Sequence, residues 1–328
     1  MAQPTNTYST YDLGGASGIG LINREDLANA IYNVDPYDTP IFSKISQKSK
    51  ATATLHEWNT DILAAAAGSS VAQIEGDDAA AEAQSTPTRL KNTTAILNRT
   101  VVVSGTQQAV TTVEGVGREM ARQIVKKGRE LRRNIESHVA ENVAGAAGND
   151  TTARKMGGLE AWIITNTSAG AGATASAGTG TNVRTAGTAR AFQESQLKEV
   201  LREAFNSGGN PRFIVTKAFN KQNLSAFAGN ATRMAEADEA TLFTAIDVYK
   251  SDFGRLDVVP NRFLNVTGAV DTVFAFDPDY ISVAELRPIH EVELAKSGDF
   301  IKRALYWEGT LEMRNEKAHG AVYDLTQS

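Results

Sequence analysis

Cysteine is absent from all 328 residues, which excludes thiolate catalysis, disulfide staples and cysteine-ligated zinc or iron–sulfur sites. Stability must then come from packing and from neighbours. No segment approaches the roughly 18 consecutive apolar residues that a membrane helix needs. The first twenty residues carry neither a positive start nor an apolar stretch, so no export signal is read and a cytosol-like compartment is expected. Histidine is scarce: His56, His138, His290 and His319 stand singly, and no pair has helical metal-ligand spacing. Positive charge is also short, with 33 Lys and Arg against 38 Asp and Glu for a net charge of -5. Phosphate binding draws on clustered Lys and Arg, so nucleic-acid recognition is not expected to be the main task. Aromatics at 7% and charged residues at 22% give an ordinary soluble balance.

What is present is length and order. The chain exceeds one average domain, and two intimately connected domains are expected. Residues 1 to 22 are polar and glycine-bearing and read as an arm. Asn23 can cap a helix with Leu27, Ala30, Ile31 and Val34 on one face, ended by Asp35-Pro36. Ala51 to Trp58 reads as a strand and Thr93 to Val103 as its longer partner. Between them, residues 63 to 86 are too small-sided to build a core, and a two-stranded ribbon with such a tip is marginal alone in water.

From Val113 to Val143 the positions Val113, Val116, Met120, Ile124, Leu131, Ile135, Val139 and Val143 recur mostly at helical spacing, with Gly145 and Gly148 as stops. The Thr, Ser, Ala and Gly run from Thr165 to about Ala191 has no amphipathic period and reads as an insertion or loop at a domain crossing. A helix from Gln193 to Asn206 opens a mixed α/β unit. Its strands are expected at Phe213 to Thr216, Ala245 to Lys250, Arg255 to Val259 and Val273 to Phe276, with a helical stretch around Ala218 to Phe227. Leu305, Trp307, Leu311 and Met313 alternate with polar residues and predict a half-buried strand.

Catalytic motifs are weak. Gly14-Gly15-Ala16-Ser17-Gly18-Ile19-Gly20 resembles the cofactor loop of short-chain dehydrogenases, but mostly polar residues precede it where an apolar strand should deliver it. No tyrosine has a lysine four positions later, so that family's catalytic pair is missing. Glu75, Asp77, Asp78 and Glu82 lack the spaced oxygen pattern of a calcium loop and read as a solvated acidic tip. No cofactor, metal or catalytic residue is expected.

Several phrases instead carry a resemblance: Asp35-Pro36-Tyr37-Asp38-Thr39-Pro40, Glu57-Trp58-Asn59-Thr60-Asp61, Val258-Val259-Pro260-Asn261-Arg262-Phe263 and Leu286-Arg287-Pro288. With the arm, the low-complexity tip and the long basic helix, the chain resembles the tailed-bacteriophage major capsid proteins of the Hong Kong 97 fold, from about Leu21 to Leu325. The resemblance implies an α+β chain without enzymatic activity. Its parts would be an arm and first helix (1–50), an extended hairpin loop (51–104), a peripheral domain with a long spine helix (105–190), an axial domain (191–286) and a return to the peripheral domain (287–328). It further implies pentamers and hexamers forming an icosahedral virion capsid around double-stranded DNA, built in the host cytoplasm, with no membrane partner. A portal, possibly a decoration protein and, if Met1 is the native start, a separate scaffolding protein would complete the partners. The alternatives are a dehydrogenase using a nicotinamide cofactor and a non-viral shell-forming compartment protein. A cell-surface lattice protein would need the missing export signal.

In that frame the hairpin loop would lie across an adjacent subunit. Arg118, Arg122, Lys126, Lys127, Arg129, Arg132 and Arg133 oppose only Glu119 and Glu130, a local excess of five positives. Such a face, with Arg122, Lys126, Arg129 and Arg133 as its candidates, can meet a neighbour's acidic segment, packaged DNA or solvent. Glu75, Asp77 and Asp78 are the acidic contact candidates.

Overall fold

The computed structural model describes residues 38–45, 48–64, 66, 71–78, 84–110, 118–227, 248–264, 266 and 268–327. The arm, the helix expected after Asn23 and the Gly14 to Gly20 loop lie outside the described residues. In chain order the elements are helix α1 (Pro40–Lys44), strands β1 (Lys48–Lys50), β2 (Leu55–Thr60), β3 (Thr88–Thr93) and β4 (Ala95–Ser104), and helices α2 (Gly105–Ala109) and α3 (Glu119–Ala140). There follow β5 (Thr167–Ser168), α4 (Glu194–Asn206), β6 (Phe213–Thr216), α5 (Ala218–Ser225), β7 (Val248–Ser251) and β8 (Gly254–Pro260). The chain ends with β9 (Asp271–Phe276), β10 (Ile281–Leu294), β11 (Phe300–Met313) and β12 (Gly320–Leu325).

These strands form a four-stranded sheet in the order β1-β10-β11-β4, a six-stranded sheet in the order β5-β12-β9-β6-β8-β7, and the ribbon β2-β3. The two larger sheets share one core. Leu131, Ile135 and Val139 of α3 pack with Val283, Leu305 and Trp307 of the first sheet and with Val215, Phe274 and Tyr323 of the second. A smaller core, with Leu197, Val200 and Leu201, lies under α4.

The ribbon is shorter than its sequence pattern predicts. Strand β2 pairs with β3, Leu55 opposite Thr93 and Thr60 opposite Thr88. The run 95–104, expected as the hairpin's second strand, pairs instead with β11 along its whole length. The reason is burial: Ala95, Val101 and Val103 find an apolar face on the sheet and α3 that the ribbon lacks. Thr94, itself buried, is the break between the two strands.

Helix α3 covers the centre of the expected 113–143 span, and residues 111–117 lie outside the described residues. Its C-terminus comes earlier than expected, since Glu141 is extended. Gly158 abuts that point; a Cβ there would meet the Glu141 carbonyl oxygen. Strand β11 also departs from a half-buried pattern. Nearly all of Ala304–Met313 is buried, including Glu308, Thr310 and Glu312. The polar face is covered because cationic and hydroxyl partners, described below, meet the two carboxylates there. In β10 the register shifts between Arg287 and His290, around Pro288, which has no N–H to give the ladder.

The Thr165 to Ala191 run is largely irregular, as expected, but it is packed rather than loose. Gly180 stands at φ +70, and a Cβ would sit 2.5 Å from the buried Trp162 indole. Arg184 from this run donates to Glu160 at 2.8 Å and to Asp324 at 2.9 Å, with all three side chains buried. Helix α4 begins with a reciprocal capping box between Gln193 and Gln196.

Candidate assembly surfaces

The hairpin is rooted at its base and bare at its tip. Trp58 Nε1 donates to the Met313 carbonyl at 2.8 Å, and the indole lies 5.4 Å from Trp162. His56 Nε2 is 3.1 Å from Glu312, which also accepts from Ser49 and from Arg314. Burial pushes the Glu312 carboxyl up, but the hydrogen bonds from His56, Ser49 and Arg314 outweigh it and hold the group down at about 2. Beyond Asp61 the support ends. Ile62, Leu63, Val71 and Ile74 are 64%, 94%, 63% and 79% exposed. Gly76, at φ +84, allows the turn in which Asp77 N donates to the Ile74 carbonyl. Glu75, Asp77 and Asp78 are all exposed on it.

Single residues of the other phrases meet buried carboxylates. Glu136, on α3 and fully buried, accepts from Ile41 N and Phe42 N at 2.8 Å each and from Asn261 Nδ2 at 2.6 Å. One carboxylate thus satisfies free N–H groups of the first turn of α1 and ties both to the Val258-to-Phe263 phrase. Burial raises its pKa to about 7 against the hydrogen bonds that favour the ionised form. Glu308, likewise buried, accepts from Arg154 at 2.6 Å and Arg287 at 2.8 Å. The bulge around Pro288 therefore places Arg287 on a carboxylate of the neighbouring strand. Sequence reasoning missed Glu136 and Glu308 as joints. For Glu136 a signal existed, an acid between Ile135 and Val139 where the helix turns apolar.

The basic residues of α3 divide into two groups. Arg122 pairs with Glu119, and Lys127 with Glu130 at 2.7 Å. Arg133, expected on the contact face, stacks 5.6 Å over Phe263 and is only partly exposed. Arg118, Lys126, Arg129 and Arg132 are exposed, together with Val125 at 59%. Of the four expected contact candidates, Lys126 and Arg129 are thus exposed and Arg122 and Arg133 partly exposed, and Arg132 joins the exposed group. Among the described residues no group of three or more potential ligands is placed to hold a metal ion, and no helix is long and apolar enough to cross a membrane.

The chain matches the family model for the SU10 major capsid protein over residues 3–326. The chain belongs to the SU10 major capsid protein family. Within curated proteins, the major capsid protein of Escherichia phage Phieco32 is 26% identical over 363 residues, covering 98% of each chain. The fold is that of capsid structures. A Gordonia phage Cozz chain matches at TM-score 0.58 and 11% identity, covering 100% of this chain and 99% of that one. A capsid chain of a native GTA particle matches at TM-score 0.59 and 13% identity, covering 95% and 98%. The SrpI encapsulin of Synechococcus elongatus matches at TM-score 0.53 and 10% identity, covering 93% of both. That last likeness is one of fold, whereas membership of a major capsid protein family supports a phage head over a compartment shell. It also displaces the dehydrogenase alternative.

Proposed function

We propose that this chain is the repeating subunit of an icosahedral phage head, grouped as pentamers and hexamers around double-stranded DNA, with a structural role and no reaction of its own. The observation that supports it most is the rooted hairpin with four large apolar side chains exposed at its tip. Fully burying such a side chain is worth about 1.5–3 kcal/mol, and the described residues of the tip form no core of their own to bury them. A second subunit supplies it. Each contact of this kind is heterologous, one subunit's hairpin on another's body, so rings close and then tile.

In this reading the arm and first helix are 1–50, the hairpin loop lies within 51–104 and ends as a ribbon at Thr93, and the peripheral domain takes 105–190 and 287–328 around an axial domain at 191–286. Sheet membership crosses these limits, since β10 starts at Ile281 and β12 joins the six-stranded sheet. A separate scaffolding protein, a portal and possibly a decoration protein are the expected partners, with assembly in the host cytoplasm. Shortening residues 63–86 to a tight turn tests the reading. The subunit should keep its circular dichroism and melting temperature while particle yield falls. An unfolded variant would place the tip in the subunit's own core and overturn the assignment.

A further inference from the structure

We propose that His56 is a proton-sensitive pin for the hairpin: its charged form holds the β2-β3 ribbon more firmly on the body of the subunit, and loss of the proton slackens that hold. The device belongs to the single subunit. Among the described residues, three side chains carry the ribbon's hydrogen bonds to the body. Trp58 donates to the Met313 carbonyl, Asn92 donates to the Leu311 carbonyl at 2.8 Å and exchanges hydrogen bonds with Gly157, and His56 meets Glu312 at 3.1 Å. The titratable side chains of the two strands are His56, Glu57, Arg89 and Lys91. Of these, His56 is the one whose bond leaves the ribbon.

At this joint a fixed negative charge faces a variable one. Glu312 also accepts from Ser49 and Arg314, and its carboxyl, held down at about 2, stays ionised across the range in which an imidazole changes charge. A neutral imidazole donates from Nε2 in only one of its two tautomers, whereas the imidazolium donates from both nitrogens. The cation adds the attraction of opposite charges across the same 3.1 Å, in a partly buried site that salt screens less than the open surface. The His56 side chain is 16% exposed, enough for the ring to exchange its proton with water.

The charged groups around the ring leave this pair in control. From the body, β11 contributes Glu312, and Arg314 just beyond it is engaged on the other oxygen of that carboxylate. Strands β1 and β10 contribute the hydroxyls of Ser49 and Ser282, linked at 3.1 Å, while Lys50 is exposed. Across the ribbon the partner of His56 is the uncharged Asn92. Glu57 and Lys91 pair in the next register position, on the ribbon's opposite face, where Arg89 lies 3.7 Å from Glu57. Trp58, 5.8 Å from the imidazole, shares its face. The exposed tip is carried at the far end of the same strands, so any effect of the pin on assembly rests on the function proposed above.

The test is amide hydrogen exchange on unassembled subunits at about pH 5.5 and about pH 8, on either side of an imidazole's ordinary titration, with rates corrected for intrinsic exchange. The variant is His56→Gln, which keeps a neutral donor; His56→Asn stands in should circular dichroism show it misfolded. Going from the higher to the lower pH, the β2 and β3 amides of wild type should gain about fivefold in protection relative to those of the variant. Amides of β9, buried in the body, should respond alike in the two chains.

A ribbon with the same pH response in both chains overturns the pin. So does a relative gain at the higher pH, or a difference between the chains as large in β9 as in the ribbon, which would assign the effect to overall stability. None of these outcomes bears on the capsid reading, which particle formation tests.

Discussion

Glu136 is the residue on which the buried polar structure turns. Three N–H donors converge on its two oxygens, which an apolar side chain could not serve. Glu136→Leu would leave these donors buried and unpaired. At about 1–3 kcal/mol for each such group, denaturant unfolding should show a loss of at least 3 kcal/mol. The same carboxyl fixes a pH dependence. Its folded pKa, about 7, lies above its ordinary 4.5, so the folded state holds the proton more tightly than the unfolded one. The stabilisation is fully present below pH 4.5 and is lost as pH rises to about 7, on the order of 2–3 kcal/mol. Unfolding free energies measured across that window should fall less steeply for Glu136→Gln than for wild type, and parallel curves would contradict the assignment. Gly180 is the second sensitive residue. Its positive φ and its contact with Trp162 predict that Gly180→Ala lowers stability by about 2–3 kcal/mol, visible as a lowered melting temperature.

Among elements, the hairpin joins fold and assembly, and its root is separable from its tip. Trp58→Ala removes the hydrogen bond to Met313 and the packing on Trp162. Since Trp58 is only partly buried, the cost should be about 2 kcal/mol, below the range for a fully buried tryptophan. Limited proteolysis within 55–93 should then precede global unfolding, whereas a variant cleaved no faster than wild type would show the root to be unimportant.

The elements were legible in the sequence where their pattern was local. Helix α4 and strand β6 stand where periodicity places them, because an apolar face and its stops lie within a few residues. The pairing of β4 was not legible, since Thr93 to Val103 fits either a ribbon or a sheet and only the apolar face formed by α3 and by β11, the latter some 200 residues on, decides. The buried carboxylates of β11 disguised it as half-exposed for the same reason, as Arg154 and Arg287 are distant in sequence. The acidic tip was legible from composition. The division of the basic helix was not, because Phe263, which draws Arg133 inward, is 130 residues away.

At the scale of the whole molecule, one shared core joins two sheets while the hairpin tip and the outer face of α3 keep apolar and charged groups exposed. Such a subunit is complete in its fold and incomplete in its surface. Membership of a major capsid protein family gives that surface its purpose: the shell, rather than the single chain, is the finished structure. The most direct measurement is electron microscopy of the purified wild-type chain, with a scaffolding partner supplied if required, alongside sedimentation of the same sample. The account predicts closed shells or ring-shaped capsomers with fivefold and sixfold symmetry. A sample that stays monomeric throughout would contradict it.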